Sequence, residues 1–481
     1  MISIELTLTE LRSKHLKGCL QFLDQQKLVQ PSFNSQVGFD FQGLRQSYKN
    51  DPTHPDSKVL ARFGRIWIYD VALSIYADLK AGRLRQAGYQ VGRVMQLALQ
   101  EEERGYRGLW HFSYNTCEDS FIDPRGPTGA NAWCLNAIYA FILSTGDTSV
   151  LRWANRVVQK YLFEQQVMSS DDPRYGLIRA GMHNAEDVAR GSDGMGYGVF
   201  QGEVNQQYEH IILEHNADVA GTFRLAFHAT KQFAPQEKSL LNELIFRHDL
   251  LMQGMRRVFW QKDHFVSAID EKGEFYRGTD GAPSIAVDNN TWTAHVFLPY
   301  DRNLAGASLK YVREKFLART PAVHLEDASQ GEVPHDLTGV YYFPATFSDP
   351  FVDVLPEHRA KMEQLFQLEA AFGLVLFIDD MAATARESQE RSNLQQWARE
   401  LYEHTVTVQL LYGATGAPYA TARVPAVFST LSCITTAATG AVVTAKLGGA
   451  PNGDFIGVTP PPEFLVAGQA PQLHPPQYAP V

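Results

Sequence analysis

Stripes of apolar residues at helical spacing recur along the chain. In one of them, Leu151, Ala154, Val158 and Leu162 lie three or four residues apart, which puts them on one face of an amphipathic helix. Similar stripes occur near 8–24, 83–102, 241–255, 306–318 and 394–402. The other face of each segment is charged, so we expect six helices on the outside of the molecule.

Six further segments alternate with these stripes and contain few charges beyond their first turn. They begin near Tyr69, Asn131, Glu214, Asp288, Glu369 and Ser432, at intervals of about 60 to 80 residues. A helix that is apolar on all sides is a buried helix. The chain therefore contains a unit of one exposed and one buried helix, repeated six times. Repeats that share a core favour a closed ring or a solenoid.

Polar side chains concentrate in the first turns of the buried segments, and this favours the ring, because a solenoid needs capping units and a tighter period. If the buried helices run parallel, their first turns line one mouth of the ring. The segments that lead to this mouth are long and rich in glycine and aromatic residues, as in 105–129 and 191–203. We predict an all-α fold, an (α/α)6 barrel of six inner and six outer helices over 1–458. A Pro-rich, extended or disordered tail is predicted over 459–481.

Composition narrows the classes of function. The 481 residues include 43 Lys and Arg against 53 Asp and Glu, a formal net charge of −10, with no basic cluster. Nucleic-acid affinity comes mainly from such clusters, so no nucleic-acid partner is expected. Four widely spaced cysteines are typical of a reduced, cytoplasmic protein. The N-terminal segment lacks the apolar core of a signal peptide.

One uncharged window, 424–445, has the length of a membrane span. It contains several Ser and Thr residues, which make it too polar for a good span, so we predict a buried helix and no membrane contact. The sequence leaves the number of subunits open, a homo-oligomer included.

The order of five short motifs resembles that of the six-hairpin glycosidase superfamily, in particular its bacterial members. The motifs are YDVAL at 69–73, NAW at 131–133, EHNAD at 214–218, the pair Asp288 and Trp292, and PYAT at 418–421. The resemblance covers roughly 60–450. It implies an (α/α)6 toroid and an enzyme that cleaves glycosidic bonds, although a minority of the superfamily are lyases, epimerases or isomerases. The fold alone does not fix the reaction.

Hydrolysis of a glycosidic bond needs two carboxyl groups, one to donate a proton and one to activate water or attack carbon. Glu214 is the first candidate for the acid, because Asp218 lies one turn further along the same face and would disfavour its ionisation. Asp288, from the next buried helix, is the first candidate for the base. Asp70 and Glu369 are reserve catalytic candidates from two other first turns. Either Glu214 or Asp288 could instead cap its own helix.

Sugar sites also contain flat aromatic faces and amide or carboxyl groups. The predicted substrate-binding residues, all in mouth segments or first turns, are Asn131, Trp133, Trp110, His215, Asp218, Asn289, Trp292 and Tyr419. A single tryptophan is more often part of a core, whereas three at one mouth point to binding. His210 and Glu214 have the spacing of a zinc-binding pair without a third ligand, so no metal and no cofactor are expected.

These inferences predict a glycoside hydrolase that acts on an oligosaccharide or short polysaccharide by paired-carboxylate catalysis with inversion. Two alternatives stay open. One is a lyase, isomerase or epimerase on the same toroid, which would use Tyr69, His111, His215 or Tyr419 as the base. The other is a non-catalytic carbohydrate-binding protein.

Overall fold

The computed structural model describes most of the chain between 65 and 411. The described residues are 16–17, 19–21, 23–24, 27–34, 38–45, 65–107, 109–116, 121–123, 125–183, 205–277, 281–320, 323–324, 332–333, 337–340, 365–411 and 420–422. The predicted sixth inner helix near Ser432, the window 424–445 and the tail 459–481 lie outside them.

Within these ranges the chain is mainly helical. The helices are α1 Ile68–Lys80, α2 Leu84–Glu103, α3 Thr128–Thr145, α4 Leu151–Val157, α5 Leu213–Phe233, α6 Lys238–Phe259, α7 Val287–Phe297, α8 Arg302–Lys315, α9 Leu368–Ala383 and α10 Ser388–Leu411. Helix α4 continues as a π-helical turn over Val158–Leu162 and a last turn over Phe163–Gln165. The described residues between 16 and 24 are also helical, as expected of the first outer stripe.

The helices form two concentric layers. The odd-numbered helices α1, α3, α5, α7 and α9 pack against one another in chain order, and each even-numbered helix packs against the odd-numbered helix before it. This arrangement is the predicted all-α (α/α)6 barrel, with five of its hairpins inside the described ranges.

Two helices show how the sequence separates the layers. Helix α3 contains no charged residue and is buried on nearly every side, and it ends at Gly146, whose φ of 73° is the left-handed conformation typical of a helix C-terminus. Helix α6 instead buries one stripe, made by Leu240, Leu244, Leu251 and Met255, and exposes charged residues on its opposite face.

The described residues also form short antiparallel strands. They are β1 Phe33–Asn34, β2 Phe39–Asp40, β3 Arg65–Trp67, β4 Ser113–Asn115, β5 Phe121–Asp123, β6 Arg125–Pro127, β7 Gly181–His183, β8 Ile211–Ile212, β9 Trp260–Gln261, β10 His264–Phe265, β11 Ala268–Ile269, β12 Leu317–Thr320, β13 Val323–His324, β14 Glu332–Val333, β15 Leu337–Val340, β16 Leu365–Gln367 and β17 Ala420–Ala422. Helices α1, α3, α5 and α9 begin directly after β3, β6, β8 and β16. These strands pair with β4, β7, β11 and β17, respectively, which ties the starts of the inner helices to neighbouring segments.

One buried ion cluster lies near the far end of α1. The Asp78 carboxylate is fully buried and accepts hydrogen bonds from Arg45 Nη1 at 2.6 Å, Arg83 Nε at 2.7 Å and Gln90 Nε2 at 2.9 Å. Burial of a carboxylate is tolerated here because two guanidinium groups pair with it.

Among the residues that the structure describes, no helix has both the length and the apolar character needed to cross a bilayer.

Candidate active site

An asparagine fixes the first turn of α5. Asn216 is buried, and its Nδ2 donates to Ile212 O at 2.7 Å, four residues back at the start of the helix. The same amide forms two hydrogen bonds with the backbone of Ile178, which donates to Oδ1 at 2.8 Å and accepts from Nδ2 at 3.1 Å. The side chain therefore joins the helix start to the segment beside it.

The same asparagine clamp recurs at the fourth residue of α3 and of α7. Asn131 and Asn290 each donate to the carbonyl four residues back, at 2.9 Å and 3.1 Å. Each also pairs with one backbone residue of the preceding segment, Trp110 for Asn131 and Phe265 for Asn290. The Asn131 amide, which the sequence analysis predicted to bind substrate, is thus engaged with backbone groups on both sides.

Because each asparagine clamp lies at the fourth residue of its helix, residues of α3, α5 and α7 with the same position number are equivalent. The sixth residues of α3, α5 and α7 are Trp133, Asp218 and Trp292. The second residues of α5 and α7 are Glu214 and Asp288. Residues four apart lie on one helix face, so both carboxyl groups stand one turn closer to the mouth than the Trp133, Asp218 and Trp292 layer.

We call Trp133, Asp218 and Trp292 the indole floor. The two indole rings stack with centroids 5.1 Å apart and an interplanar angle of 23°. Trp292 Nε1–H donates to Asp218 Oδ1 at 2.9 Å. Tyr69 and Tyr76 of α1 contact the Trp133 ring at centroid distances of 5.1 Å and 5.9 Å. The floor therefore spans three inner helices, α3, α5 and α7, and contacts a fourth, α1.

The Asp218 carboxyl group is buried, with only 2% of the residue's surface exposed. Burial raises its pKa well above the ordinary value, the charge of Asp288 raises the pKa further, and the indole N–H groups of Trp292 and Trp133 oppose the shift. Burial and the nearby Asp218 also raise the pKa of the Tyr76 hydroxyl. Burial therefore favours the protonated form of the Asp218 carboxyl group. The predicted effect of Asp218 on the ionisation of Glu214 stays a prediction.

The two first-choice catalytic candidates come from neighbouring helices. Glu214 is 6% exposed and Asp288 is half-buried, and they hold the second positions of α5 and α7, which pack against each other. Asp70 is half-buried at the third position of α1, about 100° around the helix from that face. Tyr69 holds the second position of α1 instead. Glu369 is the second residue of α9, and its side chain lies outside the described part of the chain.

A glycine makes room for His215 at the mouth. Gly129 is the second residue of α3, and a Cβ atom built there would lie 2.4 Å from His215 Cδ2 and 2.9 Å from His215 Nε2. The half-buried imidazole of α5 thus occupies the space that a side chain of α3 would fill. His215 stands beside Glu214 in sequence and reaches the neighbouring helix in space.

The remaining predicted binding residues fall in different environments. Trp110 is fully buried, and its indole N–H donates to Val94 O at 2.9 Å in the outer layer, so the expectation of an open stacking face there is wrong. The chain around it forms β4 and its buried neighbours rather than a solvent loop. Asn289 is buried and donates to Ser267 Oγ at 2.9 Å. Tyr419 lies outside the described residues.

Sequence reasoning missed Gly129 and Tyr76 as members of this region. Gly129 could have been found by comparing the second position of each inner helix, where it is a glycine and the other helices have Tyr, Glu or Asp. Within the described ranges, no group of three or more His, Cys, Asp or Glu side chains is arranged to hold a metal ion.

No protein-family model matches the sequence, and no curated protein is detectably similar to it. Solved structures are similar in fold. A D-mannose isomerase superposes with a TM-score of 0.55 at 12% identity, over 88% of this chain and 92% of that chain. A cellobiose 2-epimerase from Spirochaeta thermophila gives 0.51 at 13% identity, over 88% and 91%. A glycosidase variant gives 0.50 at 12% identity, over 90% and 96%.

These proteins share the six-hairpin (α/α)6 toroid, so the resemblance inferred from the motifs is confirmed at the level of fold. Their names include an isomerase, an epimerase and a glycosidase, so the fold alone leaves the reaction open.

Proposed function

We propose that the protein is a sugar-processing enzyme that hydrolyses a glycosidic bond with Glu214 as the proton donor and Asp288 as the base. The observation that carries the proposal is the register of α5 and α7. It brings two carboxyl groups from neighbouring helices to one mouth, directly above a pair of stacked indole rings. Two carboxyl groups and a flat apolar surface are what acid–base cleavage of a sugar requires.

The division of roles follows from exposure. Glu214 is the more buried of the two, and transfer of an ionised carboxylate out of water is costly, so Glu214 suits the protonated role. Asp288 is half-buried and lies near Asp218, whose pKa burial raises, so Asp288 suits the ionised role of the base. Attack of a water molecule activated by Asp288 would invert the anomeric centre.

Fold similarity supports a sugar as the substrate. Three solved structures with TM-scores of 0.50 to 0.55, a D-mannose isomerase, a cellobiose 2-epimerase and a glycosidase, are named for sugar chemistry. This similarity supports the substrate class of the proposal and not its reaction type.

A second candidate function is isomerisation or epimerisation of a free sugar. The observation that favours it is the imidazole of His215, for which Gly129 leaves room beside Glu214 at the mouth. A proton shuttled between adjacent carbon and oxygen atoms needs a base of this kind. Two of the similar structures, with TM-scores of 0.55 and 0.51, are also an isomerase and an epimerase.

The test is product formation by the purified full chain on a panel of α- and β-linked oligosaccharides and free aldoses and ketoses. Hydrolysis predicts new reducing ends from one linkage. It also predicts that Glu214→Gln and Asp288→Asn each lose at least about a hundredfold in kcat, the scale of one general acid or base.

Glu103→Gln is the matched control, because Glu103 is an exposed carboxylate of the outer helix α2. It should keep full activity. Conversion of a free sugar that survives Asp288→Asn and is lost in His215→Gln would replace hydrolysis by the second candidate. Absence of any product would overturn both.

A further inference from the structure

Asp218 connects three inner helices through its own polar atoms. Its Oδ1 accepts the indole N–H of Trp292 from α7 at 2.9 Å, and the indole ring of Trp133 from α3 stacks on the Trp292 ring. Its backbone oxygen accepts Asn136 Nδ2 from α3 at 3.3 Å. With 2% of its surface exposed, Asp218 lies beneath the mouth rather than at its surface.

The groups that face Asp218 include no cation among the described residues. From α7 it meets Trp292 and the acidic Asp288, from α3 it meets Trp133, and from α1 it meets the Tyr76 hydroxyl. Glu214 lies one turn before it on its own helix. A carboxylate buried without a cation is strongly disfavoured, and a neighbouring carboxylate adds repulsion. This geometry favours a proton on Asp218, and burial raises its pKa accordingly.

We propose that Asp218 is a positioning residue, which holds a proton in the folded protein, fixes the two indole rings as one surface and leaves Asp288 as the ionised carboxyl group of the pair. That the indole floor faces a sugar rests on the proposed function. One negative charge on a pair of neighbouring carboxyl groups costs less free energy than a charge on each of them. The proton on Asp218 therefore maintains Asp288 in the form that a base requires.

The test compares Asp218→Asn with Asp218→Leu in the full chain. Asparagine is neutral and keeps an oxygen that can accept the Trp292 N–H, so it mimics the protonated carboxyl, whereas leucine removes the acceptor. On the substrate identified by the sugar panel, Asp218→Asn should retain a kcat at least about tenfold higher than that of Asp218→Leu from pH 6 to 8. Asp218→Leu should lose kcat at least about thirtyfold and raise KM, because the indole surface is no longer fixed.

A second measurement needs no substrate. Tryptophan emission of the parent chain should stay constant from pH 5 to 8, because the Asp218 carboxyl group that accepts the Trp292 N–H keeps its proton. Near pH 4 the emission of the parent chain and that of Asp218→Asn should change in the same way. Glu103→Gln serves as the control for the pH dependence of the fold. This readout tests Asp218 even if every sugar in the panel is left unchanged, so failure of the proposed function and failure of this inference are distinguishable.

Two results would overturn the inference. One is an Asp218→Asn variant that loses as much kcat as Asp218→Leu while its circular dichroism matches the parent, because the ionised carboxylate itself would then be required. The other is an emission transition between pH 3 and 5 that is present in the parent and absent in Asp218→Asn. That transition would show that Asp218 ionises at its ordinary pKa.

Discussion

Replacing Glu101 by glutamine should remove a pH-dependent loss of stability. Glu101 lies in the last turn of α2 and is fully buried beside His111 and Tyr114. Burial raises its pKa from 4.5 to about 8, against the opposing charge of Arg104 and a hydrogen bond with Tyr114. The folded protein therefore holds this proton much more tightly than the unfolded chain does.

The sign follows from the two pKa values. Below pH 4.5 the carboxyl is protonated in both states and its contribution to stability is fully present. As the pH rises from 4.5 to about 8, the unfolded chain releases the proton and the folded protein keeps it, so the free energy of unfolding falls. A shift of about 3.5 pKa units corresponds to a loss of about 5 kcal/mol at 1.36 kcal/mol per unit, an upper value for this single group.

Glutamine cannot ionise, so Glu101→Gln should lack this decline. Urea unfolding followed by circular dichroism at pH 5, 6, 7, 8 and 9 gives the free energy of unfolding of the parent, Glu101→Gln and the exposed control Glu103→Gln. The variant should gain on the parent steadily from pH 5 to 8, and Glu103→Gln should follow the parent. His111, whose pKa burial lowers to about 3, is present in all three proteins and destabilises each of them below pH 6.5. Parallel curves for the parent and Glu101→Gln would refute the reasoning.

Three further substitutions test the fold and the mouth. Asp78→Asn removes the buried carboxylate that pairs with the buried Arg45 and the half-buried Arg83, and it should lower the free energy of unfolding by about 3–5 kcal/mol. Urea unfolding checks this prediction, and a loss below about 1 kcal/mol would contradict it. Gly129→Ala should displace His215, because the added Cβ lies 2.4 Å from its ring. Although alanine is the better helix former, the free energy of unfolding should therefore not increase. An increase of about 1 kcal/mol would mean that the ring moves away freely. Asn216→Ala removes three backbone hydrogen bonds and should cost about 3 kcal/mol. It should also lower kcat through the shifted Glu214, and full activity in the folded variant would argue against the clamp.

Much of the fold could be predicted from the sequence because two kinds of hydrophobic pattern alternate. Four inner helices begin one residue before the predicted starts, at Ile68, Leu213, Val287 and Leu368. Helix α3 begins three residues earlier than predicted, at Thr128. The glycine that follows Thr128 suggested a loop, but it is there to make room for His215.

The candidate site was predictable in its residue types and only partly in its geometry. Glu214 and Asp288 were identified because acids in the first turns of charge-poor helices are conspicuous. The raised pKa of Asp218 was not, because it depends on burial of the carboxyl group among side chains from other helices, such as Trp292. Those contacts follow from the register that the asparagine clamps impose, which the pattern of any single helix does not contain.

Trp110 shows the opposite error. Its neighbours in sequence are glycine, aromatic and polar residues, which are typical of an open loop. In the structure the same segment pairs with β3, and the indole donates to Val94 O in the outer layer. Only the long-range packing of that segment against α2 buries it, and local composition carries no information about such packing.

The most direct test of the central claim is a proton NMR time course in deuterated water with the parent enzyme, Glu214→Gln and Asp288→Asn. The substrate is the oligosaccharide or sugar that the panel identifies. For the parent enzyme we expect new reducing-end anomeric signals, with the inverted anomer appearing first, and no deuterium on sugar carbons. For Glu214→Gln and Asp288→Asn we expect no new reducing ends and no deuterium on sugar carbons. Deuterium entering carbon 2 of an uncleaved sugar, at a rate that Asp288→Asn leaves unchanged, would contradict it.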